Sequence, residues 1–252
     1  MAVDASELLS DVELLQIEME TLWDMNSDGR IPGSHYLVIG ATGSARRVAV
    51  GAGVPDMLAD ELTDLVLSET EPCASGRPPA SLARCQGLLE DAFGAVERSS
   101  GPSYLIPSGV GFAATADMVL SGSAQVEAVR DAHPGDWDVD EWDQLLAGNL
   151  GPWAMATHQG QVIAMCNTPA QTARGAEAGV WTHPDFRGQG HAAAVTAQWA
   201  TLMAPSGRRL LYSTSATNQS SQRVAARLGL RPIGWLWKLS RPGEQGVHSG
   251  RR

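Results

Sequence analysis

The sequence predicts an α/β protein, and three observations carry that prediction. From residue 103 to 240 the apolar spacing switches repeatedly between the period of a strand and that of a helix. Two pairs of strand-like runs are joined by short turn sequences, Thr42-Gly-Ser44 and His158-Gln-Gly160. The stretch Ala178-Gly-Val-Trp-Thr-His-Pro-Asp-Phe-Arg-Gly-Gln-Gly-His-Ala-Ala-Ala-Val195 passes from strand formers through a glycine loop into alanine-rich helical sequence.

Taken in order, residues 4–23 set Val12, Leu15, Met19, Leu22 and Trp23 at helical spacing, with Asn26-Ser-Asp-Gly29 as the stop. His35–Ala41 and Arg46–Val50 read as a hairpin, residues 55–68 and 82–97 as helices, and the Pro- and Gly-bearing stretch 69–81 as a loop. Gly101-Pro102 marks the expected boundary between an N-terminal α/β region, 1–101, and a second domain, 102–241, with 242–252 as a tail. In the second domain the expected strands are 103–106, 117–120, 151–157, 161–167, 177–182, 209–214 and 232–239. The expected helices are 124–132, a segment opened by the capping box at Asp138-Val-Asp-Glu141, 191–203 and 219–228, while 168–176 reads as a loop.

The glycine loop is where chemistry concentrates. Without Cβ atoms at Gly188 and Gly190, backbone N–H groups can approach a ligand closely, and the helix start adds open donors and the positive end of a dipole. That combination suits a phosphate or pyrophosphate. No Lys-Ser/Thr follows the glycines, so this is not a Walker A loop, and the spacing is not that of the dinucleotide G-x-G-x-x-G.

The loop resembles the Arg/Gln-x-x-Gly-x-Gly/Ala signature of the GNAT superfamily of acyl-CoA-dependent N-acetyltransferases, with Arg187, Gly190 and Ala192 at its defined positions. Downstream, Asn218-Gln-Ser-Ser-Gln-Arg-Val-Ala-Ala-Arg-Leu-Gly-Leu230 is similar to the second motif of that family, and the two occur in family order. The resemblance covers a little over half the chain. It implies a mixed, mostly antiparallel sheet flanked by helices and splayed at the CoA site, preceded here by an N-terminal extension or a degenerate second copy. It further implies acetyl-CoA as acyl donor, with its pyrophosphate held by Arg187, Gly188, Gln189, Gly190, His191 and Ala192, and its pantetheine arm by the edge of Val180, Trp181 and Thr182 and by Asn218.

Acyl transfer to an amine needs a base, since an alkyl ammonium of pKa about 10 cannot attack, and an acid for the departing thiolate. Glu177, at the start of the strand entering the loop, is the candidate base. The family's usual acid is a tyrosine seven positions after the asparagine, where this chain has Ala225; solvent, the acceptor itself or a neighbouring Ser221, Ser213 or Ser215 takes its place, Ser221 being the candidate, with Tyr212 as an outside possibility. Asp131, Asp136, Asp138, Asp140, Glu141 and Asp143, interleaved with Trp137 and Trp142, suggest an acceptor wall for an ammonium-bearing ligand, for which Asp138, Glu141 and Trp142 are the candidates. The alternative for this stretch is a solvated helix start with Trp142 in the core.

The formal charge of −10 argues against nucleic acid as main partner and agrees with a cationic acceptor. Cys73, Cys85 and Cys166 have neither C-x-x-C spacing nor a histidine partner, so reduced buried thiols and no metal are expected. No apolar run approaches a membrane span, and the acidic start lacks the form of a secretory signal; a cytoplasmic protein is expected. The resulting expectation is an acetyl-CoA-dependent N-acetyltransferase working by direct attack in a ternary complex on a small amine, an aminoglycoside-like aminosugar first among them, with a homodimer possible. Protein N-terminal acetylation and a non-catalytic acyl-CoA sensor are the alternatives.

Overall fold

The computed structural model describes residues 9–25, 28–134 and 137–243, and these group into two units. The first comprises residues 9–105, 213–219 and 232–243; the second comprises 106–212 and 220–231. The chain order of its helices is α1 (Asp11–Trp23), α2 (Asp56–Leu67), α3 (Leu82–Phe93), α4 (Val139–Leu146), α5 (His191–Met203) and α6 (Gln219–Arg227). The strands are β1 (His35–Ala41), β2 (Arg46–Val50), β3 (Glu97–Leu105), β4 (Asp117–Leu120), β5 (Ala154–His158), β6 (Gln161–Gln171), β7 (Gly175–Thr182), β8 (Arg209–Ser213) and β9 (Arg231–Ser240). The fold class is thus the expected mixed α/β, with mostly antiparallel sheet flanked by helices.

In the first unit the strand order is β2-β1-β9-β3. Helix α1 opens with a capping box between Ser10 and Glu13 and buries Leu14, Leu15 and Met19. Helices α2 and α3 bury Leu62, Val66, Cys85 and Leu89 with Tyr36 and Trp237 in one core. The Pro-rich loop is tied down by a nearly buried ion pair, Arg46 Nη2 to Glu69 Oε1 at 2.8 Å, and Glu69 also accepts from Ser81 Oγ at 2.7 Å.

The boundary expected at Gly101-Pro102 falls inside β3. Thr214 N donates to Pro102 O at 3.3 Å and Ala216 N to Ser100 O at 2.8 Å, so this stretch is paired backbone. A Cβ on Gly101 would stand 1.7 Å from the Thr214 carbonyl oxygen. The glycine here permits a close approach of two chains and does not mark a turn. The N-terminal region is also not self-contained in sequence, because its unit takes in 213–219 and 232–243.

In the second unit the order is β8-β7-β6-β5-β4. Helix α5 packs on β5, β6 and β7, and Trp199 Nε1 donates to Thr168 Oγ1 at 2.9 Å. A second core gathers Trp142, Leu145, Trp153, Met155 and Met165. The stretch 168–176, expected as a loop, continues β6 to Gln171 after a bulge between Asn167 and Ala170, and β7 begins at Gly175. The bulge absorbs the Pro169 that suggested a break. The expected helix at 124–132 is a 3-10 segment, Ala124–Val129. Among the described residues, no helix is long and apolar enough to cross a membrane, and no cluster of potential metal ligands is present. Cys85 and Cys166 are buried free thiols, and burial pushes the Cys85 thiol up to about 11; Cys73, expected buried, is only half-buried and donates to Arg77 O. The expected tail beyond Gly243 and the first turns of the N-terminal helix lie outside the described residues.

Candidate active site

The site is built where β7 leaves β8. These strands run parallel, and their pairing is confined to Gly175–Glu177 against Arg209–Leu211. Beyond Glu177 the strand stays paired only with β6, through Gly179↔Asn167, Val180↔Cys166, Trp181↔Met165 and Thr182↔Ala164. Exposure changes at the same place: Gly175–Ala178 are buried and Gly179–Thr182 half-buried. Val180, Trp181 and Thr182 therefore present one edge that β8 does not cover, the geometry that accepts an added extended chain.

Glu177 is the last β7 residue paired with β8, opposite Leu211, and is 4 % exposed. It thus stands at the apex of the splay. Strand alternation puts it on the face shared by Gly179 and Trp181.

At its C-terminal end β7 runs into a 3-10 turn, Pro184–Phe186, and then into the glycine loop. Gly188 and Gly190 adopt φ of +79° and +95°, conformations that a side chain strains. Gly190 caps α5 with no side-chain hydrogen bond, and Ala194 N is the donor to its carbonyl. The N–H groups of His191, Ala192 and Ala193 therefore have no acceptor within the helix, and they open at the positive end of the dipole. Arg187 is exposed, and its Nε donates to Thr182 O at 3.3 Å. Gln189 is held by its side chain to Asp185 O at 3.3 Å. This loop is able to receive a phosphate group, and a Cβ at Gly190 would meet Phe112 Cε1 at 3.3 Å and Arg227 Nη1 at 3.4 Å.

His191 turns its ring inward. It is 5 % exposed, its Nδ1 has no hydrogen-bond partner among the described residues, and its ring lies 6.3 Å from that of Phe186. Phe186 also meets His158 and His183, each at 5.6 Å. Burial first, and the neighbouring His158 second, hold the His191 imidazole below its ordinary pKa, which favours the neutral ring.

Ser221 hydrogen-bonds to Tyr212 through their hydroxyls at 2.7 Å. Tyr212 is buried at 2 % exposure and Ser221 half-buried. Ser221 and Ala225 share a face of α6, being one turn apart. Ala225 is fully buried, and its carbonyl accepts from Leu230 N at 3.0 Å while Ala226 O accepts from Gly229 N at 3.1 Å. With Gly229 at φ +64°, the Leu-Gly-Leu sequence forms a Schellman stop that makes Arg227 the last helical residue. Asn218 belongs to the first unit and precedes α6, with its N–H bonded to Ser215 Oγ at 3.1 Å.

The expected acceptor wall is corrected in part. Trp142 is 1 % exposed and its Nε1 donates to Arg130 O at 3.0 Å, so no indole face is open to a ligand. Asp138 caps α4, its Oδ1 accepting from Asp140 N at 3.0 Å and Glu141 N at 3.2 Å. Asp140, Glu141 and Asp143 remain on the surface; Asp136 lies outside the described residues. Phe112, Arg227 and the Tyr212–Ser221 pairing were not singled out as loop neighbours or as a bonded pair from the sequence. Arg227 carried one signal, its place in the last turn before a Gly stop; Phe112, in a patternless loop, carried none.

Residues 113–231 match the family model described as an acetyltransferase (GNAT) domain. Among solved structures, a GCN5-related N-acetyltransferase from Kribbella flavida is 20 % identical over 96 % of this chain and 98 % of that one, with a TM-score of 0.53. A GNAT-family acetyltransferase from Colwellia psychrerythraea is 16 % identical over 86 % of this chain and 80 % of that one, at a TM-score of 0.48. A putative GNAT-family acetyltransferase from Novosphingobium aromaticivorans is 20 % identical, covering 79 % and 88 %, at 0.44. At such identities the Kribbella likeness speaks for the fold. No curated protein matches the sequence significantly.

Proposed function

We propose that this chain, whose residues 113–231 match an acetyltransferase (GNAT) domain, moves an acetyl group from acetyl-CoA to a primary amine of a small molecule by direct attack in a ternary complex. The observation that carries this reading is the open start of α5 behind Gly188 and Gly190, beside the uncovered edge of β7. Acetyl-CoA, when bound, supplies the thioester whose carbonyl carbon is the electrophile. The backbone donors of residues 188–192 and the Arg187 guanidinium hold its pyrophosphate. Val180, Trp181 and Thr182 pair with the pantetheine amides and offer the main-chain donor for the carbonyl oxygen. Asn218 is assigned to the same arm on its motif position alone.

Glu177, at the apex of the splay, takes the proton that the ammonium must lose before it attacks. The Ser221 hydroxyl, bonded to Tyr212, hands a proton to the leaving sulfur in place of the tyrosine that Ala225 replaces. A cationic acceptor such as an aminosugar is favoured by the net charge of −10 and by the exposed Asp140, Glu141 and Asp143. A second reading, a sensor that binds acyl-CoA without turnover, is favoured by one observation, the buried Ala225 at the position of the family's acid.

Thiol release from acetyl-CoA across a panel of amines separates the two readings: release with an aminosugar supports the enzyme, and binding without release across the panel leaves the sensor. Glu177→Gln is expected to lower kcat/KM by about 100-fold or more, most at low pH where free amine is scarce, with acetyl-CoA affinity kept. An unaltered pH–rate profile removes Glu177 as the base.

A further inference from the structure

Arg227 is an exposed side chain that reaches back to the open start of α5. A Cβ built on Gly190 would lie 3.4 Å from its Nη1, which sets the guanidinium against the residue that caps α5. The start of α5 is a positive dipole end, exposed Arg187 stands three residues before its cap, and no hydrogen bond or ion pair engages the Arg227 side chain among the described residues. Water screens this exposed cation from the dipole in the free protein, and an anion bound at the helix start would meet both. The Phe112 ring, 3.3 Å from the same Cβ point, walls this side of the loop. What fixes Arg227 there is the Schellman stop of α6, through Gly229 and Leu230, and the carbonyl end of α6 offsets part of its charge.

We infer that Arg227 is a second cationic contact for the pyrophosphate of the acyl donor, on the side of the loop lined by Phe112. The inference rests on the acetyl-CoA reading above and adds a residue to it. A side chain at Gly190 would crowd the Phe112 ring and touch the guanidinium as well as strain a positive φ. The pyrophosphate is favoured over the 3′-phosphate because Arg227 meets the cap residue itself, where the open N–H groups of α5 converge.

The test is calorimetric titration of the full chain, wild type, Arg227→Gln and Arg227→Lys, with CoA and with 3′-dephospho-CoA at low and high salt. Loss of one charge-assisted contact predicts about 10- to 30-fold weaker binding of both ligands to Arg227→Gln. Arg227→Lys recovers part of the loss, the salt dependence flattens in Arg227→Gln, and the melting temperature stays put. Equal affinity of Arg227→Gln and wild type overturns the contact while leaving the acetyl-CoA reading intact. A loss confined to CoA overturns the pyrophosphate assignment, and wild-type protein that binds neither ligand overturns the acetyl-CoA reading together with the contact.

Discussion

Two helix starts in the second unit, those of α5 and α4, both have the sequence of a binding element and differ in what caps them. The start of α5 is capped by Gly190, which has no side chain to give, so its first N–H groups are left for something outside the helix. The start of α4 is capped by its own Asp138, whose carboxylate takes the N–H groups of Asp140 and Glu141. One start is an open donor set; the other is closed by the chain itself. Charge near a helix start therefore says little until the capping atom is known: an acid at the N-cap is consumed there, and a glycine leaves the donors free.

The sharpest way to break this comparison is at the closed start. Trp142→Ala should destabilise the protein by about 3–5 kcal/mol, because the indole fills a core with Leu145 and Trp153 and its N–H is bonded to Arg130 O. Denaturant unfolding measures this, and a stable variant with a raised KM for an aminosugar would restore Trp142 to the acceptor wall. At the open start, Gly190→Val should weaken acetyl-CoA binding by roughly 100-fold, through the strained φ, a side chain in the phosphate approach and crowding against Phe112. Unchanged calorimetric affinity would show that the open donors bind no phosphate.

Smaller effects sharpen the contrast. Asp138→Ala should cost about 1 kcal/mol of stability through the lost cap. It should leave KM for aminosugars within about twofold, the size of an ordinary surface change; a selective rise in that KM would make the closed start a ligand site after all. The least effect is expected from pH. The folded-state pKa of His191 lies below its unfolded value, so the unfolded chain takes up the proton first as pH falls. Its contribution to stability is complete above about 6.5, the ordinary imidazole value, and is lost progressively as pH drops towards the lowered one. Unfolding curves from pH 8 to 5 should show a shallower acid decline for His191→Gln than for wild type; parallel curves would mean the buried ring is not what titrates.

Much of the fold was legible because local patterns settle local structure. Strands β1, β2 and β4 and helix α5 have the expected bounds, each an apolar run of one period closed by turn residues. Where the structure departs from the local pattern, a residue has two physical meanings and takes the rarer one. Gly101 and Pro102 look like a turn and are strand; Pro169 looks like a break and sits at a bulge. Trp142 among carboxylates looked like a ligand face, although its helical spacing with Leu145 and Leu146 already placed it on the buried stripe.

The sequence by itself determined the glycine loop, the helix that follows it, the strand that precedes it and the absence of a tyrosine at Ala225, since all of these are read along neighbouring residues. Only the tertiary structure decided that β7 parts from β8 after Glu177, that Tyr212 bonds to Ser221, and that Arg227 and Phe112 lie against Gly190. The physical reason is range. Propensity, caps and turns act over a few residues, whereas strand pairing and the approach of a guanidinium to a loop depend on segments tens of positions apart, whose meeting is set by the packed core between them.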